Sequence, residues 1–233
     1  MSILPQATYD LFVDELVKRS NTKAHLTEDS VRYTFFHALL KTTGIQQHEV
    51  ILELPHPQAP GNEVDTFVPA TDGRPNLFFE FKYHRRTKSV SGTPNKAGAL
   101  FKDISRLASL ITNDSHGLVV YLTCDEMARY FTKHASSYSS FWAVKISTEF
   151  MYDEAFVANT NASFRKQSGP HHPARVVVEY SASLPLGHHV RVFDVRRLGA
   201  AGGCSAIDSE PQTSGACTPP KPDFRDWPPL PAP

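Results

Sequence analysis

Residues 76–83, NLFFEFKY, constrain this chain more than any other stretch. Aromatic residues favour strands and bury large areas, and no Gly or Pro interrupts the run, so it reads as a β-strand. Side chains alternate across a strand. Phe79 and Phe81 therefore share one face, directed into a core, and Glu80 and Lys82 share the other. A carboxylate and an ammonium are costly inside so apolar a strand. The fold must give that second face polar partners, or a use for the charges.

The flanking sequence supplies a sheet and its helices. Residues 49–54 (EVILEL) are apolar and β-branched, and residues 63–68 (EVDTFV) alternate. The TDGRPN segment between 63–68 and 76–83 is rich in turn formers, which predicts a hairpin. Upstream, residues 9–19 carry apolar positions at helical spacing. A second helix opens at Thr27 as N-cap, with Glu28 and Asp29 in the first turn, and stops at Gly44. Downstream, 94–112 is an amphipathic helix with Ala99, Leu100, Ile104, Leu107, Ala108 and Ile111 as its stripe. A buried strand at 117–123 (GLVVYLT), a helix at 125–133 and a short strand at 141–147 follow. Strands at 174–180 and 190–195 pair as a late hairpin across SASLPLGHH. The expected fold is α/β: a mixed central β-sheet flanked by helices, with an additional C-terminal β-hairpin, in one domain spanning residues 1–198.

From Gly199 the composition changes. Eight of the eighteen Pro fall in residues 199–233, with little beyond Phe224, Trp227 and Leu230 to build a core. That stretch is expected to be an extended or disordered tail. Its PPLPAP end reads as inert, or as a polyproline ligand for a partner protein.

Several classes are excluded. No apolar run approaches the roughly 20 residues of a membrane helix. The first apolar stretch contains Asp14 and Glu15 with no leading basic residues, unlike a secretory signal. Three Cys (124, 204, 217) are too few and scattered for a disulfide framework, so a reducing cytoplasm is expected. Cys124, at the end of a buried strand, reads as a structural thiol. There is no phosphate-cradling G-x-x-x-x-G-K-[ST], no G-x-G-x-x-G after a strand, no H-E-x-x-H and no G-x-S-x-G. The pairs His171–His172 and His188–His189 fall in polar loop segments without zinc-ligand spacing, and His56 and His84 flank the charged strand, where they could touch phosphate, packing being the plainer reading. The chain has 24 basic and 24 acidic residues, so any nucleic-acid signal must be local. One exists. From Lys82 to Arg106 seven basic residues face a single acid, Asp103. Arg85, Arg86, Lys88, Lys96, Lys102 and Arg106 are the candidate nucleic-acid-binding residues. Pairing of Lys102 or Arg106 with Asp103 is the plainer alternative.

The chemistry centres on Asp65, Glu80 and Lys82. In a hairpin Asp65 comes alongside Glu80, and two adjacent carboxylates repel unless they share a cation. Mg2+, with Mn2+ as a substitute, prefers oxygen and commonly takes one or two protein carboxylates plus water and phosphate. Lys82 would orient or deprotonate the attacking water, or offset charge on a phosphate. Asp65, a turn, then Glu80-Phe81-Lys82 on a strand resembles the PD-(D/E)xK nuclease superfamily, over roughly residues 27–133, with Val64 in place of the motif's Pro. The resemblance implies a restriction-endonuclease-like fold and divalent-metal-dependent cleavage of DNA phosphodiesters. Asp65 and Glu80 would be the metal ligands, Lys82 the catalytic lysine, and Glu28 an acid completing the site from a preceding helix. Simple capping, or pairing with Arg32, is the other reading of Glu28. A restriction endonuclease acting as a homodimer is the first expectation, a resolvase or repair nuclease the next. A module on the same fold that binds nucleic acid or protein without cutting is the alternative from another class.

Overall fold

A computed structural model describes residues 2–22, 25–56, 61–85, 92–112, 114–133 and 137–198. The stretch 199–233 lies outside the described residues, as do Arg86 and Lys88.

Helices α1 (Gln6–Asn21) and α2 (Glu28–Thr43) come first. Thr27 caps α2 reciprocally: its hydroxyl accepts from the Ser30 amide at 3.1 Å, and Ser30 Oγ accepts from the Thr27 amide at 2.7 Å. Gly44 closes the helix at φ +76°, a conformation costly for other residues. Strands β1 (Ile51–Pro55), β2 (Glu63–Val68) and β3 (Asn76–His84) form an antiparallel meander. Parallel strands need a long crossover, and α3 (Thr93–Leu110) supplies it, delivering β4 (Ser115–Cys124) parallel to β3. The remaining elements are α4 (Asp125–Lys133), α5 (Ser137–Ala143), β5 (Glu149–Tyr152), α6 (Glu154–Ala158), α7 (Ala162–Ser168), β6 (Ala174–Leu184) and β7 (His188–Arg197). Among the described residues the strands form one seven-stranded mixed sheet in the order β1-β2-β3-β4-β7-β6-β5.

The α/β class and mixed sheet agree with the sequence. Three local expectations do not. Residues 141–147 are no strand: Tyr138, Phe141 and Trp142 fall at i, i+3 and i+4, a helical spacing, and all three are buried from α5. The strand lies further on, at β5. Short helices α6 and α7 were not anticipated. His188 and His189 belong to a strand rather than a loop, because β6 and β7 extend to a three-residue turn with Leu184 paired to His188. That turn holds Leu186 at φ 62° and Gly187 at φ 70°.

Each sheet face has its own core. Leu77, Phe79 and Phe81 of β3 pack with Leu118, Val120 and Leu122 of β4 beneath Tyr9, Phe12, Val31 and Phe35 of α1 and α2. The opposite face is aromatic. Phe101 of α3 is ringed by Phe141, Tyr152, Phe156 and Phe164, with ring centroids 4.7–5.2 Å away. Each such fully buried ring contributes roughly 1.5–3 kcal/mol. Gly98 lets α3 lie against α7: a Cβ there would stand 2.7 Å from the Phe164 carbonyl oxygen. Among the described residues no helix is long and apolar enough to cross a membrane.

Candidate active site

The site forms where β2 and β3 part. Their paired register runs from Val68↔Leu77 to Thr66↔Phe79 and stops there. Beyond that point β3 still carries backbone N–H groups that need acceptors. Side chains provide them. Asp65 Oδ2 accepts from the Phe81 amide at 2.7 Å, and Glu28 Oε2, from the first turn of α2, accepts from the Tyr83 amide at 3.1 Å. The parting of the strands thus lets groups from α2, on one face, meet groups from β3 and α3 on the other.

Asp65 faces the same side as Glu80. Phe67 stacks on Phe78 at 4.7 Å, which fixes the odd-numbered residues of β2 and the even-numbered residues of β3 on the α3 face. Glu53 falls between the pairs Leu52↔Thr66 and Leu54↔Val64 of β1 and β2, at φ 53°, where the strand alternation is interrupted. Lys82 Nζ lies 3.4 Å from Glu28 Oε2 and 3.3 Å from Asp103 Oδ2 of α3. The expected quartet of Glu28, Asp65, Glu80 and Lys82 is therefore brought into one locality.

Three basic groups tie the acids together. The Arg106 guanidinium of α3 grips Glu80 with two hydrogen bonds, Nε to Oε1 at 2.8 Å and Nη2 to Oε2, and reaches Asp103 Oδ1 at 3.1 Å. Arg32 Nη2 donates to Asp65 Oδ1 at 2.8 Å, and its Nη1 lies 3.7 Å from Glu53. Lys82 serves Glu28 and Asp103. Arg106 is held by Glu80 and Asp103, the pairing with Asp103 being the alternative reading of the sequence, while its other edge lines a cleft beside the cluster. The hold follows from Glu80, only 1% exposed, a carboxylate that could not stay buried and ionised without a partner. Arg32 likewise pairs with Asp65, not with Glu28 one turn away. Of the other basic candidates, Arg85 and Lys102 are exposed, and Lys96 Nζ donates to the Arg85 carbonyl at 2.9 Å.

Burial pushes Glu80 well above the ordinary carboxylate range, and the Asp103 charge adds to it; Arg106 opposes both without cancelling them. Asp103 is raised as well, chiefly by burial, with Lys82 and Arg106 pulling it down. Burial alone would lower Lys82, but Asp103 and Glu28 outweigh it and hold the ammonium above its usual value. Lys82 is therefore a fixed positive charge at neutral pH.

Asp103 was legible only as a partner for neighbouring bases, yet it is buried at the centre of the cluster. The signal was present: Leu100, Asp103 and Leu107 are spaced i, i+3 and i+7, so Asp103 occupies a position on the inward helix face. Its Oδ2 has no hydrogen-bond donor among the described residues, although Lys82 Nζ is an ion-pair neighbour. His56 and His84 are buried packing residues, as expected. His56 Nε2 lies 3.0 Å from Ser109 Oγ, and His84 Nδ1 lies 2.9 Å from the Tyr121 hydroxyl.

Among the described residues no three His, Cys, Asp or Glu side chains are grouped as metal ligands. Asp65 and Glu80 are instead turned to arginines. The charge balance nevertheless suits a cation. Five carboxylates (Glu28, Glu53, Asp65, Glu80 and Asp103) are joined to three bases, leaving a formal −2. Mg2+ needs only one or two of them. Comparison with protein-family models, with curated proteins and with solved structures finds no match to this chain.

Proposed function

We propose that this chain is a divalent-metal-dependent nuclease of the PD-(D/E)xK type, hydrolysing phosphodiester bonds in DNA. The observation that carries the reading is that Glu28, Asp65, Glu80 and Asp103 are gathered in one cluster where acids outnumber bases, with the Lys82 ammonium beside them. The arrangement around it supports the same reading: the motif strand β3 is followed by α3 and a parallel β4, within a mixed sheet covered by helices on both faces. Asp65 and Glu80 would hold Mg2+ or Mn2+, Glu80 only by exchanging the Arg106 guanidinium that now covers both its oxygens; when bound the ion supplies Lewis acidity and a water of lowered pKa. Glu28 holds Lys82 in place and caps the Tyr83 amide. Lys82 sets its charge against the phosphate oxygens as negative charge grows on them. Arg106 and Arg32 position Glu80 and Asp65. A restriction-type role is preferred, with a homodimer placing one site on each strand of a duplex; a resolvase or repair role comes next.

A second reading has its own observation. Glu80 and Asp65 already have guanidinium partners, which suits a module that binds nucleic acid without cutting it. One experiment separates the two. Long mixed-sequence duplex DNA, single-stranded DNA and RNA are incubated with the protein in Mg2+ and in EDTA, beside Lys82→Ala and Asp65→Ala. Cleavage that requires Mg2+ and vanishes in both variants supports the nuclease. Bound but intact polynucleotides in every condition overturn it in favour of the module.

A further inference from the structure

A small cleft opens behind the acid cluster, between α3, the side chains of His56 and Asn62, and the segment joining α7 to β6. It has a volume of about 180 Å3, and the groups that shape it are His56, Lys102, Ser105, Arg106, Ser109 and His172. Pockets for drug-sized ligands start near 300 Å3, so the space suits a single ionic group and a few waters, not a nucleoside. Among the described residues no Asp or Glu lines it; each lining group that carries charge, or can gain it, is basic.

The walls are fixed by their own hydrogen bonds. Ser105 Oγ donates to the Pro170 carbonyl at 2.8 Å and accepts from the His172 amide at 2.8 Å, which pins His172 at the rim. Ser109 Oγ donates its one proton to the Arg106 carbonyl at 2.7 Å. His56 Nε2 lies 3.0 Å from the same Ser109 Oγ. Lys102 is exposed, and its ammonium has no ion pair or hydrogen bond among the described residues. The His172 ring is exposed beside it. Two basic side chains thus stand over a floor whose serine hydroxyls are held by hydrogen bonds, and Arg106 forms a wall shared with the acid cluster.

We propose that this cleft is a phosphate subsite, holding the backbone phosphate next to the one attacked at Glu80 and Lys82. The inference rests on the nuclease reading for its occupant but not for its chemistry. Lys102 and His172 contact the phosphate oxygens directly. Such a contact positions the strand and adds affinity without reading sequence. Because Arg106 borders both spaces, a phosphate here also competes with Glu80 for the guanidinium.

The test uses the full chain. Inorganic phosphate is titrated while the His172 and His56 ring nitrogens are followed by NMR, then an oligonucleotide is titrated with salt varied. Phosphate is expected to shift His172, and Lys102→Ala to weaken phosphate about 3- to 5-fold, as for an exposed ion pair. The same variant should raise KM with kcat unchanged. It should also reduce the slope of log affinity against log salt by about 0.9 on a duplex, or about 0.7 on a single strand. Lys41→Ala, on the far face of the sheet, is the control and leaves all of these unaltered. The subsite is overturned if phosphate shifts neither ring, if Lys102→Ala leaves KM and the salt slope unchanged, or if Lys41→Ala changes them equally. Mg2+-dependent cleavage that survives those results leaves the nuclease reading standing alone. Phosphate binding here by a protein that cuts nothing leaves the subsite standing and removes the nuclease.

Discussion

Replacing Arg106 with Met tests the central electrostatic claim. Glu80 is sealed from solvent, its two oxygens are held by Arg106, and the nearby Asp103 repels it. Met keeps the packing volume and removes the charge. Breaking a buried ion pair from one side costs about 3–5 kcal/mol, because the remaining charge is left without compensation. That is a large share of the roughly 5–15 kcal/mol that stabilises a domain. Glu80→Met should cost less, about 1–3 kcal/mol, since Arg106 keeps Asp103 at 3.1 Å and some access to water. The double variant removes both charges of the pair but also the Arg106 donor to buried Asp103, so it should recover most of the loss and stay about 1–3 kcal/mol below the parent. Urea unfolding followed by circular dichroism at pH 7.5 and pH 5.5 measures all four proteins. The pH sign follows from the raised Glu80 pKa. Between the unfolded value, about 4.3, and the higher folded value the folded state binds more protons, so this group's contribution to stability falls as pH rises. The Arg106→Met deficit should therefore shrink at pH 5.5. If that variant does not fold at pH 7.5, the double variant still must. A cost below 1 kcal/mol for Arg106→Met, or a double variant as unstable as the two singles added, would refute the account.

Three further outcomes are expected. Gly98→Ala places a methyl 2.7 Å from the Phe164 carbonyl and 2.8 Å from Gln167 Cβ, so it should destabilise by about 1–3 kcal/mol, read as a melting temperature lower by about 2–4 °C per kcal/mol. Burial, followed by the charges of Lys82 and Lys96, lowers the His84 pKa to about 3. Its contribution is then present above the unfolded value near 6.5 and lost as pH falls from there toward 3; His84→Gln should flatten acid unfolding across that window, and NMR should find the ring neutral at pH 5. Thr27→Ala removes the cap of α2 and should cost about 1 kcal/mol by urea unfolding, while loosening the turn that carries Glu28.

What the sequence revealed was governed by short-range geometry. Alternation along β3 put Glu80 and Lys82 opposite Phe79 and Phe81, and turn chemistry put Asp65 beside Glu80; both follow from a period of two and a hairpin. Asp103 was harder, because an acid in a basic helix looks like a surface pair until its place on the inward face is counted. The arginines could not be assigned. Long flexible side chains choose partners across elements, and nothing local distinguishes an Arg32 bound to Asp65 from one bound to Glu28. Helices α6 and α7 are too short for periodicity to show, although Asp153 and Asn161 cap them through the Phe156 and Phe164 amides at 2.8 Å. At residues 141–147 a strand was expected where Tyr138, Phe141 and Trp142 carry a helical spacing.

The early end of the β2–β3 ladder has a mechanical consequence. Three register pairs join β2 to β3, against nine between β3 and β4. The β1–β2 ribbon is accordingly a leaf fastened along a short seam, while β3 is clamped to the rest of the sheet along its length. Asp65 and Glu53 ride on the leaf, and Glu80 and Lys82 stay on the clamp. Past the seam the leaf is tied to the clamp through a side chain, Asp65 Oδ2 accepting from the Phe81 amide at 2.7 Å.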